Sequence, residues 1–209
     1  MRSTLDKLIS WTGILIAVVL LVAGGLLTWG WAFVGDQVHS QFQDQDITMP
    51  AGQAITSLPD KADQDALQKY AKDGNNLLDS GPEAKAYADH YIHAHLGEAV
   101  ADLPEKTYSA ISSSQMKYCA SDNGVSEGTA DQCTTYAGLK AEFFQGNTLR
   151  GLLLYGYAFA TIGTIAGIAA IAAYAGAVVF LVLGLLGLLH ARRLHGKPGS
   201  ARSPEAVLA

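Results

Sequence analysis

The sequence predicts an all-α membrane protein in which two transmembrane helices flank one small helical extracytoplasmic domain. Three stretches of the 209-residue chain predict it. Trp11 to Val34 is a run of 24 residues without a charge, and Gly151 to Leu189 is a second such run of 39. Between Gly35 and Arg150 lie 17 acidic and 8 basic residues.

The first run has the length of a span, since about 20 apolar residues at about 1.5 Å each cross a hydrocarbon core of roughly 30 Å. It exceeds a usual signal-peptide core, and Val34-Gly35-Asp36-Gln37 offers no small-x-small cleavage site. Trp29 and Trp31, with Phe33, cluster at its far end as interfacial anchors. The second run is long for one straight span and short for two, and it holds no charge, Asn or Pro to make a turn. One helix is expected there, with its main span ending near Leu189.

Orientation follows from the flanks. Arg2 and Lys7 precede the first run, while Arg192, Arg193, Lys197 and Arg202 follow the second. Positive flanks stay in the cytoplasm, so both termini are expected inside a bacterial plasma membrane and the middle outside. The expected divisions are residues 1–10, a cytoplasmic start; 11–34, the first span; 35–149, the acidic domain; 150–190, a long apolar helix holding the second span; and 191–209, a basic, disordered cytoplasmic tail. Arg150, Arg192 and Arg193 are read as membrane-interface anchors. Up to Asn147 the domain carries 7 Lys and no Arg against 17 acids. That balance excludes nucleic acid as a partner. The two cysteines, Cys119 and Cys133, both fall in the domain, and outside the cytoplasm an even pair reads as a disulfide.

Within the domain, Ile47 to Pro50 is the best strand signal and helical spacing dominates elsewhere. Asp36 to Asp44 is expected to continue the first helix, and Pro50 to Leu58 to link onward. A helix over Pro59 to Asp73 is broken by Asp73-Gly74-Asn75-Asn76. The strongest helix runs from Pro82 to Leu103, started by Ser80 and Pro82 and stopped by Pro104. Tyr87, Tyr91, Ile92, Leu96 and Val100 form its core-facing stripe. Thr107 caps a further helix, a loop spans Ser121 to Gly128, and the last helix starts near Thr129 and leads towards the second anchor. Large apolar residues are few, so core positions fall to Ala and Tyr.

The candidate chemistry is limited. Asp89, His90 and His93 are the candidate metal ligands, since imidazole and carboxylate suit zinc and copper. At about 100° per residue the set divides: His95 joins the apolar stripe as a buried histidine while His90 and His93 face the other way. Ser112-Ser113-Ser114 lacks a nucleophile-elbow context, and no phosphate loop is present. No cofactor is therefore expected. The apolar runs say more. Gly163 and Gly167 make a GxxxG motif, extended by Ala169, Ala173 and Ala177; Gly13, Ala17, Gly24 and Gly25 do likewise in the first run. Small residues let helix backbones approach closely in lipid, either between these two helices or against another subunit. Neither run has a charged residue to mark an ion path.

Phe143 to Leu154, the Ala-rich run ending His190-Ala191-Arg192-Arg193, and Leu21 to Gly30, with Tyr87-Ala88 and His95-Leu96 between them, carry a resemblance. The chain resembles a family of small two-span actinobacterial membrane proteins over nearly its whole length. The resemblance implies two spans and a high-GC Gram-positive host, and it transfers no catalytic residue. Members often bear the label of an aromatic ring-opening dioxygenase subunit, an activity that needs iron held by His and carboxylate.

The expected function is that of a non-catalytic accessory or scaffolding protein. Its partners are membrane lipid and either another membrane or envelope protein or a second copy of itself. The alternative is an extracytoplasmic ligand- or metal-binding sensor module, and the remote alternative an enzyme such as a ring-opening dioxygenase subunit.

Overall fold

The computed structural model describes residues 2–71, 76–119 and 128–195. The expected breaker at 73–75, the loop at 121–127 and the tail from Gly196 lie outside them. The described residues form helices and no strand. In chain order these are α1 (Arg2–Asp44), α2 (Gln53–Thr56), α3 (Lys61–Gln68), α4 (Gly81–Ala86), a π-turn (Tyr87–Ile92), α5 (His93–Ala99), α6 (Tyr108–Cys119) and α7 (Ala130–His195). Two of them, α1 and α7, are long and apolar enough to cross a membrane, and only 17% of the most apolar window of each is buried. Helical backbone continues past both expected domain edges. α1 runs on through Asp44, and α7 is one unbroken helix of 66 residues.

The chain divides into two compact units. The first joins the residues up to Ala32 with those from Thr164 onward. Here α1 and α7 run antiparallel at very close range. Ser10 lies against Gly187, Gly13 against Gly184, Leu20 against Gly176, Gly24 against Tyr174 and Trp31 against Gly167. The buried positions recur every seventh residue: Ser10, Ala17 and Gly24 on α1, and Ala170, Ala177, Gly184 and Ala191 on α7. A seven-residue period is that of helices packed at a shallow left-handed angle. Small residues there bring backbone onto backbone, so that a methyl added at Gly184 would sit 3.0 Å from the Ser10 carbonyl oxygen.

The second unit, Phe33–Gly163, holds the domain. Its larger core joins Phe42 of α1 and Leu153 of α7 to Met49, Ile55, Leu58, Leu67 and Leu78. The two long helices thus supply core side chains. Ala84, Ala86 and Ala88 fill further positions of this core, while Tyr70, Tyr87 and Tyr91 are only half-buried against it. Burying each Leu, Ile, Phe or Met contributes about 1.5–3 kcal/mol. A smaller core gathers Leu96, Val100, Ile111, Tyr136 and Phe143.

Local signals explain the short elements. The Ile47 to Pro50 stretch forms one isolated antiparallel bridge, Thr48 to Leu77, with Met49 N–H donating to the Asn76 carbonyl at 2.8 Å and Leu78 N–H to that of Ile47 at 2.8 Å. The expected linker contains α2, which buries Ile55. The Asp60 carboxylate caps α3 by accepting from Ala62 N–H at 2.8 Å. A reciprocal Ser80–Glu83 capping box starts α4. Thr107 Oγ1 accepts from Ala110 N–H at the start of α6, and Thr129 and Gln132 cap each other at the start of α7.

The helix expected over 82–103 ends at Ala99, with Leu103 N–H closing a turn onto the Val100 carbonyl and the Lys106 ammonium taking the Val100 and Ala101 carbonyls. Cys119 and Cys133 stand at disulfide distance, their Cα atoms 4.9 Å apart, joining the end of α6 to the start of α7.

Candidate functional site

The histidine-bearing helix differs from a uniform wheel because Tyr87–Ile92 is a π-turn. An extra residue per turn rotates everything after it, and such turns are frequent at functional sites. Tyr87, Tyr91 and His95 stack in a ladder with ring centroids 5.1 and 4.4 Å apart. His95 keeps its expected neighbour Tyr91 and gives its Nδ1 hydrogen to the Tyr91 carbonyl at 2.8 Å, but it is exposed rather than buried.

The candidate metal ligands take different partners. Asp89 meets the Lys85 ammonium and lies 3.3 Å from Arg150 Nη2; Arg150 also donates Nε–H to the Ala88 carbonyl at 3.0 Å. Burial alone would raise the Asp89 carboxyl pKa, but the hydrogen bonds and charges of Lys85 and then Arg150 hold it below its ordinary value. His90 donates to Asp63 at 2.7 Å, tying the π-turn to α3, and His93 is exposed. Among the described residues, no three of His, Cys, Asp and Glu come together around a metal-sized site. Arg150, read as an interface anchor, ties α7 to the domain, while Arg192 and Arg193 are exposed on α7.

The packing residues fall on or beside the seam. Ala17, Gly24 and Gly163 are buried, and Gly13, Gly167 and Ala173 are partly covered. Sequence reasoning used a four-residue period and missed the longer one. Every seventh residue from Gly156 to Ala191 is Gly or Ala: Gly156, Gly163, Ala170, Ala177, Gly184 and Ala191. A count at period seven would have found it. Trp29 and Trp31 are both exposed, with Trp31 also against Gly167.

The second unit also holds a groove between the C-terminal end of α1 and α7, of about 620 Å³. Its floor is Val38, Phe42, Ile47, Leu153 and Gly156. Phe42 presses so closely on Gly156 that any side chain there would collide with the ring. One wall is Leu149, Leu152, Tyr155 and Phe159 of α7. The other is Gln37, Gln41 and Gln45 of α1, an amide row at four-residue spacing that makes no hydrogen bond to another described residue. Asp44 is the one charged residue of the lining. Leu152, Tyr155, Phe159 and the neighbouring Ile162 are each more than half exposed. They stand alongside the exposed polar positions Asp36, His39 and Asp44 of α1, because Phe42 meets Gly156.

Near the disulfide, Glu105 accepts from Ser114 at 2.6 Å and from the Tyr136 hydroxyl at 2.9 Å. These two bonds hold the Glu105 carboxyl below its ordinary range. Burial, then the Glu105 carboxylate, push the Tyr136 hydroxyl up to about 12. On the α6–α7 face, Tyr108 and Phe144 lie 6.1 Å apart, both exposed, and exposed Met116 follows eight residues along α6.

No protein-family model, curated protein or solved structure matches this chain. The two-span resemblance is carried by its own residues alone.

Proposed function

We propose that this chain is a non-catalytic integral membrane accessory or scaffolding protein of the bacterial plasma membrane. Its α1 and α7 insert as a hairpin with both termini cytoplasmic. Its acidic domain stands outside and contacts another membrane or envelope protein. The observation that carries the reading is the exposure of the two long helices. Leu8, Trp11, Leu15, Val19 and Leu26 on α1 are open, as are Ile168, Ile171, Val178 and Leu186 on α7, while small residues are buried. Monomeric soluble proteins rarely expose contiguous apolar surface of that extent. In lipid the arrangement is favourable, because small residues pack helices and large ones face acyl chains. Basic residues at both ends and the acidic middle support the orientation.

The partner surface in this reading is the Tyr108–Phe144 pair with Met116, since aromatic and Met side chains are enriched in interface cores. Purification of the tagged full chain from native membranes in mild detergent, with mass spectrometry of what accompanies it, tests the reading. A stoichiometric companion lost from a Phe144→Glu variant supports it. A monodisperse single chain with no companion overturns the accessory role.

A further inference from the structure

We propose that the groove between the outer end of α1 and α7 holds one long acyl chain with an uncharged, hydrogen-bonding headgroup, the chemistry of a monoacylglycerol. The proposal rests on the membrane-inserted reading and goes beyond it by naming a ligand. Phe33 and Val34, the last residues of the charge-free run, line the groove together with residues out to Gln45. In the inserted hairpin an apolar floor therefore starts where hydrocarbon ends, and a chain can enter from the bilayer.

Size accommodates one chain. The groove is lined from Phe33 to Gln45, a rise of about 18 Å along α1. The volume itself lies within the roughly 300–1,000 Å³ of small-molecule sites, which are apolar with a few placed polar groups.

Charge selects the headgroup. The lining has Asp44 and no Lys or Arg, within a domain of strong acidic excess. A carboxylate or phosphate would meet like charge and no counter-ion. The Gln37, Gln41 and Gln45 amides, free of other partners among the described residues, suit hydroxyl and ester groups.

The test uses the full chain in phospholipid nanodiscs with a monoacylglycerol bearing a mid-chain diazirine, irradiated and mapped by peptide mass spectrometry. The expected result is saturable labelling of peptides covering 33–45 and 149–159, displaced by excess 1-palmitoylglycerol and not by palmitate. Leu152→Asp changes an exposed side chain, so the fold should survive it. It should cut groove labelling roughly tenfold or more by placing a carboxylate beside the chain, and leave labelling of the 11–34 span unchanged. Labelling of the span without the groove overturns the proposal, as does equal displacement by palmitate. Crosslinks joining groove peptides to a second copy or another protein overturn it too, because a protein then covers the groove. Absence of label from the span itself would instead overturn the membrane reading beneath it.

Discussion

Gly24 of α1 faces the ring of Tyr174 on α7 so closely that an added methyl would sit 2.7 Å from ring carbon Cε1. The same tyrosine is fixed at its tip. Thr28 Oγ1 gives its hydrogen to the Gly24 carbonyl at 2.8 Å, so the Tyr174 hydroxyl donates to Thr28 Oγ1 at 3.1 Å. One missing side chain and two hydrogen bonds thus define this contact between the two helices.

That contact makes two adjacent glycines inequivalent. Gly24→Leu should destabilise the helix pair by about 1–3 kcal/mol, the usual cost of overpacking. Gly25→Leu should be nearly neutral, because nothing lies within 4 Å of its added carbon. Thermal unfolding of both variants in one detergent, followed by circular dichroism, checks this. Equal losses would mean that the seam is elsewhere.

The domain should lose stability at both extremes of pH. Asp89 and Glu105 have carboxyl pKa values held low, so the stability they contribute is present above the unfolded value of about 4 and lost as pH falls through their folded values. Tyr136 is raised to about 12, so its contribution is complete below about 10 and lost between about 10 and 12. A denaturation series across pH should show a plateau between. Tyr136→Phe should reduce the alkaline loss, to which the raised Lys85 and Tyr87 also contribute, and Asp89→Asn should reduce the acid one.

Opening the Cys119–Cys133 bond should cost about 3 kcal/mol, because their separation of 14 residues matches a loop for which chain entropy gives that value. Denaturant midpoints with and without a phosphine reductant measure it. An unchanged midpoint would show that the α6–α7 junction is held by the Leu96–Ile111–Phe143 core alone.

Zinc should bind the full chain no more tightly than about 10 μM, since Asp89, His90 and His93 each have a different environment. Isothermal titration of the detergent-solubilised protein checks it. Tighter stoichiometric binding that disappears in His93→Ala would restore the metal-sensor reading.

Much of the architecture is legible in the residues because it follows from local rules. Charge-free length marks α1 and α7; Ser80 with Pro82, Thr107 and Thr129 mark helix starts. Three features are not local. The π-turn arises inside a sequence that reads as a regular helix, and it changes where His90 and His95 lie. Asp89 has a candidate partner in His93 four residues on, yet it pairs with Arg150, 61 residues away in sequence, a choice made by packing. The groove depends on Phe42 entering the space left by Gly156, and Gln37, Gln41 and Gln45 read as an ordinary solvated face until α7 is placed beside them.

The proposed membrane hairpin, with α7 running on from its span into the domain, is tested most directly by cysteine accessibility. Single cysteines at Leu152, Tyr155, Ile162, Ile168, Ile171 and Val178, in intact cells, would be treated with a membrane-impermeant maleimide. The account predicts labelling at the first three, which lie beside the polar end of α1, and protection from Ile168 onward, just past the Trp31–Gly167 contact. Protection already at Leu152 and Tyr155 would place the groove inside lipid and contradict it, and labelling at Val178 would contradict the span itself.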